Sequence, residues 1–141
     1  MMKRFFTPAV VLLFFWSTAL ASERGQKKLG LTGEYNFGSE LLGAAFAVNA
    51  TDWFRLQLGY AFPAKTPNKF NAQLEGAGKL FVPDWNFSPY IGLGSGPSSG
   101  TIAVIIGVDY TAQSGFNLGA GYSQVSTNGA SGTVIYIGYY F

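Results

Sequence analysis

The chain has 141 residues, none of them Cys or His, which excludes disulfide frameworks, thiolate or imidazole metal sites and every His-dependent catalytic constellation; a metal ion could meet only carboxylates. Charged residues make up 11% of the chain, against roughly 25% in an average soluble domain, while 48% is hydrophobic, aromatics reach 17% and there are 19 glycines. That balance excludes a disordered chain and a nucleic-acid binder, and the net charge of +2 resides in Lys3 and Arg4, since seven bases meet seven acids from Ser22 onward.

Met1 to Arg4 form a short basic segment, Ala9 to Trp16 an unbroken apolar run, and Ala19-Leu20-Ala21 supplies the small residues that a signal peptidase reads. Cleavage is expected after Ala21. A retained membrane helix would need about 20 apolar residues, and Pro8 and Ser17-Thr18 interrupt this run. The expected organisation is a signal peptide over 1–21, a short periplasmic tail over 22–28 and one domain over 29–141.

From Leu29 on, hydrophobicity alternates with period two, and clusters of Gly, Pro, Asn, Asp and Ser cut the pattern about every dozen residues. This predicts an all-β chain with strands near 29–37, 41–49, 53–62, 70–82, 86–94, 101–111, 115–124 and 132–141. The first strand sets Leu29, Leu31, Tyr35 and Phe37 against Thr32, Glu34 and Asn36. The third sets Phe54, Leu56, Leu58, Tyr60 and Phe62 against Trp53, Arg55, Gln57, Gly59 and Ala61. In the fourth, Phe70, Ala72, Leu74, Leu80 and Val82 oppose Lys69, Asn71, Gln73, Glu75 and Lys79, and the sixth sets Ile102, Val104, Ile106, Val108 and Tyr110 against Thr101, Ala103, Ile105, Gly107 and Asp109.

A soluble barrel would turn the apolar faces inward and cover its surface with charges. Here the polar faces carry mostly Gly, Ala, Thr, Asn and Gln, and the apolar faces carry bulky side chains. The interior of an eight-stranded cylinder holds only modest side chains, so the small residues belong inside and the bulky ones outside, against lipid. The strands also suit a tilted bilayer crossing, which takes about 9–11 residues. The expected fold is therefore an eight-stranded antiparallel up-and-down transmembrane β-barrel. With both termini periplasmic, Trp53, Phe81, Trp85, Tyr110, Phe116 and Phe141 fall at the periplasmic ends of their strands, and Phe37, Phe62, Phe70 and Tyr122 at the outer ends. Two interfacial aromatic girdles are expected from this.

The last strand, Thr133 to Phe141, ends in an aromatic-x-aromatic pair, Tyr139 and Phe141. This resembles the C-terminal signal of outer-membrane barrels that the barrel assembly machinery reads. With the signal peptide and eight strands, the chain resembles the small OmpA/OmpX-type barrel family. The resemblance implies residence in the outer membrane of a Gram-negative cell, contact with its lipid and lipopolysaccharide, and a transient partner in the assembly machinery. No cofactor is implied, and with no peptidoglycan-binding domain after Phe141, a tether to the cell wall is not implied either.

By parity, Glu34, Arg55, Glu75, Lys79 and Asp109 all face the lumen, Glu34 and Glu75 near mid-height and the others nearer the periplasm. Charges in so confined a space must be paired or hydrated, because leaving one bare costs several kcal/mol. The expected structure is a salt-bridge plug; a gate that exchanges pairs to pass small ions, and a catalytic carboxylate pair, are the alternatives. Trp53, Tyr136 and Tyr140 are expected to point inward and form a ring around the plug. Gly43, Ala45, Ala47, Gly59, Ala61, Gly92, Gly94, Gly119 and Gly121 are expected to point inward, most of them in the outer half, with Tyr90 as the main bulk. They leave either a water-filled cup open to the outside or only the backbone freedom that tight curvature demands.

Gly96-Pro97-Ser98-Ser99-Gly100 matches the G-x-S-x-G nucleophile elbow in letters only, since that elbow needs a helix and a His base. Asn49-Ala50-Thr51 and Asn86-Phe87-Ser88 match the N-glycosylation pattern by chance. The outer loops near 38–40, 63–69, 95–100 and 126–132 are too short to build an adhesive surface or a lipid-modifying site, and the known barrel enzymes that act on lipid A depend on His. The expectation is a non-enzymatic structural or envelope-maintenance barrel, with a narrow channel or a small-ligand or surface-recognition barrel as alternatives.

Overall fold

The computed structural model describes residues 28–97, 100–126 and 131–141, so the expected signal peptide and all but Lys28 of the tail lie outside the described residues. Eight strands follow one another: β1 (Leu29–Asn36), β2 (Leu41–Asn49), β3 (Phe54–Pro63), β4 (Gln73–Phe81), β5 (Phe87–Ser95), β6 (Ile102–Thr111), β7 (Phe116–Val125) and β8 (Gly132–Tyr140). Each pairs antiparallel with the next, and β8 returns to β1 to close the barrel. One end carries the chain ends of β1 and β8 and the turns at 50–53, 82–86 and 112–115; we call it the turn end and the opposite one the loop end.

The strands are strongly staggered. Tyr140 pairs with Gly30, Gly30 with Ala47, Ala47 with Gln57, Gln57 with Ala77, Ala77 with Gly94, Gly94 with Ala103 and Ala103 with Val125. A row of inward positions that begins at the turn end thus finishes at the loop end, as strand tilt in a closed barrel requires. The ladder between β4 and β5 covers only Ala77–Phe81 against Tyr90–Gly94. Nearer the loop end side chains take over this seam: Ser95 Oγ accepts from Gly76 N at 3.0 Å, and Gln73 Nε2 donates to the Gly96 carbonyl at 3.1 Å.

Seven strands lie within one residue of their expected limits, whereas β4 begins at Gln73 rather than near 70. The cause is Asn68. Its Nδ2 donates to the carbonyls of Ser39 and Glu40 at 3.0 and 3.2 Å, and its Oδ1 accepts from Phe70 N at 2.9 Å. This hooks residues 64–72 to the rim near β2 and turns them across the mouth before β4 starts. Phe70 is consequently buried against Leu41, Ala61, Ala103 and Val125. Its expected place in an outer aromatic girdle is corrected: it sits in the mouth of the lumen.

The polarity of the faces is inverted relative to a soluble core. Phe46 and Leu74 are each 73% exposed on the outside, while Arg55 and Asp109 are 0% exposed within, although Arg and Asp are almost never fully buried unless paired. Interior volume is shared by a simple rule in which a large inward side chain lies over a glycine of the adjoining strand. Tyr136 pairs with Gly119, which pairs with Asp109, and a Cβ at Gly119 would overlap the Tyr136 ring. Likewise Tyr140 pairs with Gly30 and its ring occupies the space a Cβ would need there. Replacing Gly119 with Ala is expected to destabilise the barrel by about 1–3 kcal/mol through overpacking. Gly33→Ala, where the nearest atom to a new Cβ is 3.9 Å away, is expected to cost less than about 0.5 kcal/mol; urea unfolding of the refolded proteins measures both.

Candidate functional site

The turn half of the lumen is closed by one polar network. Arg55 on β3 reaches across the barrel to Asp109 on β6, with Nη1 3.0 Å from Oδ2, and its Nε donates to Asn49 Oδ1 at 2.8 Å. Asp109 Oδ2 also accepts from Asn117 Nδ2 at 3.0 Å and from the Tyr136 hydroxyl, and its Oδ1 accepts from Thr111 Oγ1 at 3.2 Å. The Tyr136 contact exists because Gly119 stands between the two strands and offers no side chain to block the ring. Arg55, Asp109, Asn49, Asn117 and Thr111 are all fully buried, so the network is shielded from water; Arg55 Nη2 and Asn117 Oδ1 have no hydrogen-bond partner among the described residues, a cost that a buried pair carries.

Arg55 and Lys79 are direct cross-strand partners on β3 and β4, a juxtaposition of like charges that destabilises a sheet. Aromatic rings separate and stabilise them. The Arg55 guanidinium lies 4.6 Å from the ring centroids of both Phe81 and Tyr140, while Lys79 Nζ lies 4.1 Å from the Tyr136 centroid and 5.0 Å from that of Tyr90. A desolvated cation over a ring gains about 2 kcal/mol. Each base is thus held between two rings, and together these side chains fill the lower lumen.

The five lumen charges occupy two adjoining regions. Arg55 and Asp109 pair, Lys79 packs on rings beside them within electrostatic reach of Glu34, and Glu34 and Glu75 line the cavity nearer the loop end. Two members of the aromatic sets change places. Trp53 was expected in the lumen ring; it lies in the turn between β2 and β3, 47% exposed, because β3 starts after it. Phe81, expected in a girdle, faces inward and is buried, as is Tyr90, which belongs to the plug rather than to an outer cup. Phe81 was detectable from parity, two residues beyond Lys79 on the same strand. Tyr136 and Tyr140 point inward as expected. Phe37, Phe62, Phe116, Tyr122, Tyr139 and Phe141 are exposed on the outside, and Trp85 and Tyr110 are half-buried. The rings of Tyr139 and Phe141 stand 6.4 Å apart at the turn end.

The cavity in the loop half has a volume of about 60 Å³, room for a handful of waters at about 10–15 Å³ of probe volume each. Thr32, Glu34, Gln57, Glu75 and Ser123 line it, with no basic side chain among its walls. Of the two readings of the small lining, a roomy cup or mere curvature, the structure shows a small polar chamber that reaches the rim at Asn36, Ser39 and Pro97. Asn49 and Asn86 are buried, which removes both glycosylation matches in the folded chain; the G-x-S-x-G match lies partly outside the described residues. Among the described residues no three His, Cys, Asp or Glu side chains are grouped as metal ligands. Comparison with protein-family models, with curated proteins and with solved structures gives no match for the chain.

Replacing Arg55 with Met leaves Asp109 as a lone buried charge and is expected to cost about 3–5 kcal/mol, whereas Arg55→Met combined with Asp109→Leu removes both charges and is expected to cost less than the single change. A double-mutant cycle in urea checks this; equal or greater loss in the double variant would mean that the pair is not what the network depends on.

Proposed function

We propose that the chain is an integral outer-membrane β-barrel with a structural or envelope-maintenance role, non-enzymatic, and with a lumen closed by ion pairs. The observation that carries this is the inverted polarity: every strand turns exposed Leu, Ile, Val, Phe or Tyr outward, around the whole circumference of a closed barrel. Apolar surface on that scale marks a membrane or interaction face, and a closed barrel is one of the two architectures that satisfy every backbone group inside a bilayer. The segment 1–21, with the features of a signal peptide, supports export, and Tyr139 and Phe141 at the turn end support recognition by the barrel assembly machinery. Lipid and lipopolysaccharide are the proposed surroundings.

A non-enzymatic role is supported by the plug itself. Asp109, the most heavily hydrogen-bonded carboxylate, is sealed among Arg55, Tyr136, Asn117 and Thr111, where no substrate reaches it. A narrow channel would require this network to part, and a recognition barrel would have to work through short loops.

If the outer face meets lipid, Leu56→Arg and Ile106→Arg, both at exposed positions, should destabilise the barrel in lipid vesicles by about 2–4 kcal/mol. Gln57→Arg should cost less, because it enters the chamber that Glu34 and Glu75 line. The opposite order would invert the barrel. In planar bilayers the wild-type protein is expected to show little or no steady conductance; a large steady conductance unaffected by Arg55→Ala would make the narrow channel the better description.

A further inference from the structure

The inward charges do not balance. Glu34, Glu75 and Asp109 face Arg55 and Lys79, three acids against two bases, which leaves one negative charge over in the lumen. Arg55 is committed to Asp109 at 3.0 Å. Lys79, the other base, is held on its rings within electrostatic reach of Glu34, and no basic side chain stands among the walls of the chamber itself.

The strand register brings the two chamber acids together. Glu34 pairs with Gly43 on β2, and Glu75, reaching inward from β4, places Oε2 3.8 Å from the point where a Cβ would stand at Gly43. Because that position is a glycine, the two carboxylates approach each other over bare backbone. Like charges so placed disfavour one another unless something positive lies beside them.

Neutral acceptors surround the same space. Ser123 on β7 is 3% exposed and lines the chamber, and its hydroxyl has no hydrogen-bond partner among the described residues. Gln57 Oε1 on β3 is also buried and unpartnered among them, while its Nε2 donates to Thr32 Oγ1 at 3.5 Å. Buried polar atoms without a partner are uncommon and call for a ligand or an ordered water.

We propose that this chamber binds a small primary ammonium ion, taken from the aqueous side at the loop end, where its walls reach the rim at Asn36, Ser39 and Pro97. The ammonium charge balances the spare carboxylate, and its N–H groups supply donors to Glu34, Glu75, Gln57 Oε1 and Ser123 Oγ. A divalent metal is the poorer fit: among the described residues no third acid is grouped with the two, and two positive charges would exceed the one negative charge left over. A volume of about 60 Å³ admits a molecule of a few heavy atoms, the size of methylammonium, rather than a polyamine. The site lies inside the barrel and is the same whether lipid or detergent surrounds it, so the inference stands apart from the proposed residence in a membrane.

The probe is methylammonium chloride, added to the refolded full-length barrel in nonionic micelles at fixed ionic strength, with sodium chloride as the matched control. Amide resonances of Gly43, Gly59 and Gly76, all in the chamber wall, report occupancy, and the same spectra report whether each variant is folded. Methylammonium should shift these resonances saturably, and sodium should not. Glu75→Gln removes the spare charge without unpairing a base and should weaken binding roughly tenfold or more, the loss expected for a hydrogen bond to a charged group. Ser123→Ala, a near-isosteric change, removes one neutral acceptor and should weaken it about two- to tenfold. Absence of saturable shifts in the wild-type protein would overturn the site and leave the spare carboxylate to a proton or to water. Equal shifts with sodium, or binding unchanged in Glu75→Gln or in Ser123→Ala, would also overturn it, because the chamber would then hold only a diffuse counterion.

Discussion

A closed eight-stranded cylinder gives a charge in its interior nothing to interact with except side chains from the surrounding strands, and the pair of Arg55 with Asp109 meets that constraint. Neither group reaches water, and neighbouring side chains supply most of the pair's remaining hydrogen bonds, while Arg55 Nη2 and Asn117 Oδ1 stay buried without one among the described residues. Asn49 holds the Arg55 Nε, Asn117 and Thr111 hold the carboxylate, and Tyr136 crosses over Gly119 to donate to the same oxygen as the guanidinium. Four rings then stabilise the two cations and exclude water from around them. Removing one partner from such a network leaves an uncompensated buried charge, whereas removing both does not.

The same constraint sets the glycine content. In an interior this narrow, a ring on one strand needs its volume vacated by the next, and Gly119 and Gly30 do this for Tyr136 and Tyr140. Lumen glycines are therefore not evidence of an empty cup. Bulk is concentrated where the plug is, and the remaining space is the small chamber that Glu34 and Glu75 line. Outside, the sheet is covered with large apolar side chains, the surface that the proposed lipid surroundings would require.

Strand number, order and facing were legible from period-two patterning, because parity is a local property and a one-residue slip would exchange the faces of a whole strand. Arg55, Lys79, Asp109, Tyr136 and Tyr140 were placed inward on that basis. What parity cannot supply is height around a staggered barrel and the point at which a strand begins. Counting along the strands sets Glu34 and Glu75 near mid-height, above the other charges, but the chamber they share depends on stagger across strands, which parity does not give. Trp53 was assigned inward by extending β3 one residue too far, and Phe70 outward by extending β4 three residues too far. The second error has a side-chain cause, the hydrogen bonds of Asn68, which nothing in the alternation of residues 68–74 announces.

The central claim is that the bulky face of the barrel meets lipid while the polar face meets a closed lumen. Nitroxide scanning along β3, one introduced cysteine at a time from 54 to 62 in the cysteine-free chain and omitting Gly59, where a Cβ would meet the Ala44 backbone, tests it directly through collision with oxygen, which partitions into lipid, and with a polar nickel chelate, which does not. Labels at 56, 58 and 60 should collide freely with oxygen and not with nickel, and labels at 57 and 61 should be shielded from both. Nickel access at the even positions, or oxygen access in phase with the odd ones, would contradict the account.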